Sequence, residues 1–169
     1  MFPGKKVTPV LMGQPEADLE KTNCYTRESA QKYGLPALYC TDYAMPAEFL
    51  EKEVTEGGFA GLKPYLNRSP SYIPGNEVRI FDFLTHEHLR LADRHGWIVM
   101  LHIPRPGRLR DPLNLVQMLE IEERYPNVKL IIAHIGRAYA PEDLGDAFEL
   151  LRRTKNMVFD FTANTLDQA

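Results

Sequence analysis

Cysteine is scarce in this sequence. Cys24 and Cys40 are the only two among 169 residues, and they lack CxxC spacing. Neither a disulfide framework nor a cysteine metal site is expected, and both read as packing residues. An excess of charge of one sign is also missing. Twenty Lys and Arg stand against 23 Asp and Glu, giving a net charge of -3. Without a basic tract, nucleic acid and anionic membrane surfaces are not expected partners. Long hydrophobic runs are absent as well: Trp97–Leu101 is far too short to cross a bilayer. The opening MFPGKKVTPV has no secretory apolar segment, so the expected location is cytoplasmic, and the sequon Asn67-Arg68-Ser69 reads as chance. GGFAGLK matches neither GxxxxGK[ST] nor GxGxxG, which leaves nucleotide binding unsupported.

What is there is an alternation. Short apolar runs suited to strands cover Val7–Leu11, Ala37–Cys40, Phe59–Tyr65, Trp97–Ile103, Val128–Ile135 and Met157–Phe161. Bounded by glycine, proline and polar residues, such runs fit parallel strands covered on both faces. Amphipathic stretches fill the gaps. Phe81, Leu84, His88, Leu91 and Ala92 form one stripe ending at Gly96, and Leu144, Ala147, Phe148 and Leu151 form another. Asp111-Pro112 opens a helix running to Tyr125, and Pro141 opens one ending near Asn156. Helices over Glu16–Tyr33, closed by Gly34, and Ala47–Glu56, closed by Gly57-Gly58, complete the pattern. Strand starts therefore recur about every thirty residues, the length of one strand–helix unit of a (β/α)8 barrel. Six units are visible where a barrel needs eight. The fold expected is α/β, an incomplete (β/α)8 TIM barrel, with residues 1–169 as a single partial barrel domain.

Functional residues of parallel α/β folds sit at the carboxyl ends of strands. His102 and His134 occupy that place in two consecutive units, 32 residues apart. One such histidine is ordinarily a core imidazole; two at equivalent places favour a site. Imidazole there offers metal ligation or acid–base work. Lys63 ends another strand, where a snorkelling lysine and a site lysine are equally expected. Asp160 is an acid in an apolar strand, so it needs a partner or a polar mouth. Arg105, Arg108, Arg110 and Arg137 follow the histidine strands; loop arginines are usually solvated, but a substrate carboxylate would suit them. His86, His88 and His95 fall on an outer helix and read as structural, since HEH places its two rings on different helix faces.

IVMLHIPR, YPNVKLIIAHIGRAY, NMVFDFTAN and GFAGLKPYL, taken together, resemble the amidohydrolase superfamily in its amidohydrolase-related branch. The likeness covers nearly the whole chain from about residue 7, as strands two to seven of that barrel. It implies a metal-dependent hydrolase in which metal-bound water attacks a lactone or amide carbonyl of a small molecule bearing a carbonyl or carboxylate. It places His102 at the fifth-strand metal ligand and His134 at a sixth-strand ligand or catalytic position. It places Lys63 near a fourth-strand lysine that some members carboxylate to bridge two metals. Arg105 and Arg137 become candidate substrate-binding residues. The implied cofactor is a divalent metal, zinc first and manganese second. Two alternatives share these residues: a non-oxidative decarboxylase, and a non-catalytic barrel piece needing a complementary chain. The family's first-strand HxH and eighth-strand aspartate have no counterpart here. Whether this chain is itself an enzyme, and whether a truncated chain keeps the metal, is therefore left open, and self-association through open barrel edges is expected.

Overall fold

The structure, a computed structural model, describes residues 3–4, 6–15 and 18–163. Its strands are β1 (Leu11–Met12), β2 (Ala37–Thr41), β3 (Gly61–Pro64), β4 (Ile98–Leu101), β5 (Lys129–Ile132) and β6 (Met157–Phe159). They form one six-stranded sheet in strict chain order. Every neighbouring pair is parallel. This is the sheet of a partial TIM barrel, open at β1 and β6. Between the strands run α1 (Leu19–Tyr33), α2 (Ala47–Glu56), α3 (Ile80–Phe83), α4 (His86–His95) and α5 (Pro112–Arg124), with a short helix at Ala147–Leu151. No helix among the described residues is long and apolar enough to cross a membrane.

Local chemistry accounts for the helix ends. The Asp18 carboxylate accepts from the Lys21 amide at the start of α1, and Gly34 closes it in a left-handed conformation (φ 62°). The start expected at Glu16 lies outside the described residues. The Asp111 carboxylate accepts from the Leu113 and Asn114 amides, capping α5 with Pro112 in its first turn. Two expected helices are broken instead. The stripe from Phe81 to Ala92 divides into α3 and α4, because the Thr85 hydroxyl accepts from the His88 amide and caps a new helix there. The segment after Pro141 is a 3-10 turn, Pro141–Asp143, followed by the short helix. Strands are also shorter than their apolar runs. β1 starts at Leu11, not Val7: Val7 and Val10 are exposed, and no strand among the described residues pairs with them.

Alternation along the strands separates two faces. Ala37, Tyr39, Leu62, Val99, Leu101, Leu130 and Ile132 join Leu50, Val54, Leu89, Leu115 and Met118 in the core between sheet and helices. Leu38, Cys40, Lys63, Met100, Ile131 and Val158 occupy the alternate positions, which line the interior of a barrel. Register sets Cys40 beside Lys63. Gly61 permits the next pairing, because a Cβ there would fall on the Ile98 carbonyl.

Candidate functional site

Lys63, His102 and His134 come together at the carboxyl ends of β3, β4 and β5. The His102 Nε2 and His134 Nε2 atoms lie 2.9 Å apart, with ring centroids 4.8 Å apart. Lys63 Nζ lies 2.7 Å from His102 Nδ1 and donates to the Met100 carbonyl at 3.1 Å. Tyr65 stacks on the His102 ring with centroids 6.2 Å apart. Its hydroxyl donates to the Gly13 carbonyl at 2.7 Å, tying the end of β1 to the site.

Lys63 does not snorkel. It is 1% exposed, and burial, the dominant cause, lowers its ammonium from 10.5 to about 7. Burial, then the Lys63 charge, then His134 drive His102 down to about 3, so its ring is neutral at ordinary pH. Nζ sits against Nδ1, the His102 nitrogen away from His134. In this arrangement Lys63 orients the ring from behind.

β5 delivers His134 differently. Residues His134, Ile135, Gly136 and Arg137 all have positive φ (55°, 48°, 63° and 60°), making one left-handed turn where the apolar run predicts continued strand. Left-handed backbone costs roughly 1–2 kcal/mol per non-glycine residue, so other contacts must hold it. The Ile135 amide donates to the Asp160 carbonyl at 2.7 Å, and the Asp160 amide to the Ile132 carbonyl at 3.1 Å. Gly136 is packed so closely that a Cβ would meet Leu109 Cδ1 at 2.7 Å.

Two further side chains reach this cluster. His134 Nδ1 lies 2.8 Å from the Thr162 carbonyl and 2.9 Å from its hydroxyl. Asp160 Oδ1 stands 3.8 Å from the same nitrogen and accepts from the Thr162 amide at 2.9 Å. Asp160, just past the end of β6, thus has partners for Oδ1, while its Oδ2 is buried without a hydrogen-bond partner among the described residues. Thr162 and Tyr65 were not legible as site residues. Asp160-x-Thr162 is an Asx-turn pattern, but sequence gives no sign of the ring it faces.

The loop arginines divide. Arg137 donates to the Ile103 and Pro104 carbonyls at 3.4 and 3.3 Å and lies close enough to depress His102. Arg105 faces Asp111 at 3.6 Å and lines a separate cleft with Tyr43, Tyr72 and Arg79. Arg108 is paired with Asp143, and Arg110 donates to the Glu142 carbonyl at 2.9 Å. His88, buried in α4, hydrogen-bonds the Met45 carbonyl at 3.0 Å, consistent with a structural role. Clefts of about 530 and 690 Å³ flank α1. Neither contains the histidines, and the convergence of titratable groups marks the site better than cavity size.

Two Nε2 atoms facing one point suit a shared metal ion: tetrahedral zinc at about 2.0–2.1 Å holds two nitrogens somewhat over 3 Å apart. Yet no group of three or more His, Cys, Asp or Glu residues that could hold a metal occurs among the described residues. The described residues offer two imidazole donors here, where three or four protein ligands are usual.

A parallel α/β sheet in strict chain order, with paired imidazoles at its carboxyl end, is the architecture of a partial TIM barrel. The amidohydrolase family model matches residues 10–167, and the chain belongs to that family. No curated protein matches the chain in sequence. Among solved structures it is similar to a probable 2-pyrone-4,6-dicarboxylic acid hydrolase from Acinetobacter baumannii with citric acid bound. That match has TM-score 0.63 and 20% identity over 95% of this chain and 58% of that one. A dihydroorotase from Saccharomyces cerevisiae in complex with 5-fluoroorotic acid matches with TM-score 0.57 and 13% identity, over 89% of this chain and 46% of that one. A 2,6-dihydroxybenzoate decarboxylase from Rhizobium matches with TM-score 0.50 and 15% identity, over 86% and 58%. The chain thus spans about half the length of these structures, and identities this low establish the fold alone.

Proposed function

We propose that this chain carries the strand-end histidines of a metal-dependent hydrolase acting on a lactone or amide carbonyl of a small molecule. The supporting observation is the 2.9 Å convergence of His102 Nε2 and His134 Nε2. In this reading both rings hold a divalent ion, Lys63 steadies His102, and Arg137 receives a substrate carboxylate or carbonyl; Arg105, turned to Asp111 in a separate cleft, is not part of it. Imidazole donors favour zinc; carboxylates among further ligands would move the preference towards manganese. A bound ion would supply Lewis acidity and make water more acidic there. The His102 ring, kept neutral, adds no positive charge beside a cation. A complete site takes further ligands beyond this pair, so the two histidines by themselves are expected to bind zinc weakly. The open edges at β1 and β6 suit either complementary barrel units or self-association, which sedimentation would read.

The test is a zinc titration of the purified chain and its His102→Ala, His134→Ala double variant, with assays on lactone and amide substrates. Equal zinc affinity in the chain and its double variant would sink the reading, as would full turnover by the variant. Release of carbon dioxide from an aromatic carboxylate, without ester or amide cleavage, would move the assignment to non-oxidative decarboxylation on the same pair.

A further inference from the structure

The hydrogen bonds around His134 can be assigned a direction from groups that have no choice. A backbone carbonyl only accepts, so the Thr162 carbonyl at 2.8 Å calls for a hydrogen on His134 Nδ1. Asp160 Oδ1 already accepts from the Thr162 amide at 2.9 Å, and the short contact to Thr162 Oγ1 is the hydroxyl donating to that same oxygen. The Thr162 oxygen then turns its lone pairs to His134 Nδ1 at 2.9 Å, where it too needs Nδ1–H. With Nδ1 carrying the hydrogen, neutral His134 presents a bare Nε2. The 2.9 Å contact to His102 Nε2 then requires His102 to donate, which leaves His102 Nδ1 bare to accept from Lys63 Nζ at 2.7 Å. One direction runs through the whole chain, from Lys63 through His102, His134 and Thr162 to Asp160.

We propose that Thr162 and Asp160 are positioning residues that fix His134 in its Nδ1–H form and so aim the Nε2 lone pair at the point it shares with His102. Asp160 acts through Thr162: its Oδ1 is 3.8 Å from Nδ1, beyond a direct hydrogen bond, but it holds both the amide and the hydroxyl of Thr162. The backbone of Asp160 also anchors the left-handed turn through Ile135 and Ile132. One residue therefore sets both where the ring stands and which nitrogen it offers. This rests on His134 being the imidazole of the proposed site, but it is a statement about the metal-free chain.

The test is nitrogen-detected NMR of histidine-labelled, metal-free chain at about pH 8, above the ordinary imidazole range. His134 is expected to show a protonated Nδ1 and an unprotonated Nε2. Thr162→Val, which keeps the carbonyl but removes the hydroxyl, should shift the ring to a mixture of both tautomers. Asp160→Ala should do the same, and Thr162→Ser should restore the original signal. Hydrolase activity is not needed, so failure here is separable from failure of the functional reading. An Nε2–H ring in the unsubstituted chain would overturn the proposal. So would an unchanged tautomer in both Thr162→Val and Asp160→Ala, since the carbonyl would then be acting alone.

Discussion

β3 and β4 stand at the closed middle of the sheet, β5 and β6 at its open side, and the same strand-end position has different chemistry in each. At the closed side Lys63 is 1% exposed and its ammonium falls to about 7. At the open side Val158, on the corresponding face of β6, is 56% exposed, and His134 and Asp160 side chains keep 23% and 21% of their surface. His102 continues a strand and is held by a lysine behind it. His134 leaves its strand through a left-handed turn and is held by a threonine and an acid. Burial governs the first arrangement, and hydrogen bonds to the neighbouring strand end govern the second.

The largest difference between the halves should appear in stability. Leu101 is fully buried between β4 and its helices, and Leu101→Ala should cost about 2–5 kcal/mol in urea unfolding. A loss below about 1 kcal/mol would mean that the middle of the sheet is no better packed than its edge.

Lys63 sharpens the comparison through pH. From about pH 7 towards 10.5 the unfolded chain holds a proton that the folded chain does not. Stability should therefore rise with pH through this window, and the cost of burial should be greatest below about pH 7. Lys63→Met should raise stability at neutral pH and flatten that rise. The comparison is best read below about pH 9, because the burial-raised thiol of Cys40 and phenol of Tyr39 contribute slopes of opposite sign above it. An unchanged slope in Lys63→Met would show that the amine is not buried neutral.

Metal binding tests the halves against each other. His102→Ala and His134→Ala should each lower zinc affinity by at least about the 10- to 100-fold typical of losing a ligand's own support, read by competition with a chromogenic chelator. A loss confined to one variant would mean that the two Nε2 atoms do not share an ion. The smallest effect is expected at the open side: Val158→Thr, at a site 56% exposed, should stay within about 0.5 kcal/mol by the same unfolding measurement. A larger loss would mean that another surface covers β6 in solution.

Much of the fold was legible because alternating apolar strands and amphipathic helices constrain a parallel sheet. Six strands in chain order follow from that alternation, as do the stops at Gly34 and Gly96, both left-handed. Strand ends were overestimated wherever an apolar run continued beyond its hydrogen-bonded neighbour, as at Val7 and Ile135. The two helical stripes broke at caps and turns that hydrophobic periodicity does not register.

Sequence alone determined the order of the strands and the placement of His102 and His134 at one end of the sheet, because both features are local: a repeating unit, and a histidine after each apolar run. Tertiary structure decided how those histidines are held. The depth of Lys63 depends on strands that flank it in space, and the hydrogen on His134 Nδ1 depends on Thr162, 28 residues further along the chain. Burial and hydrogen-bond direction are properties of neighbours brought together by folding, and no local pattern encodes them.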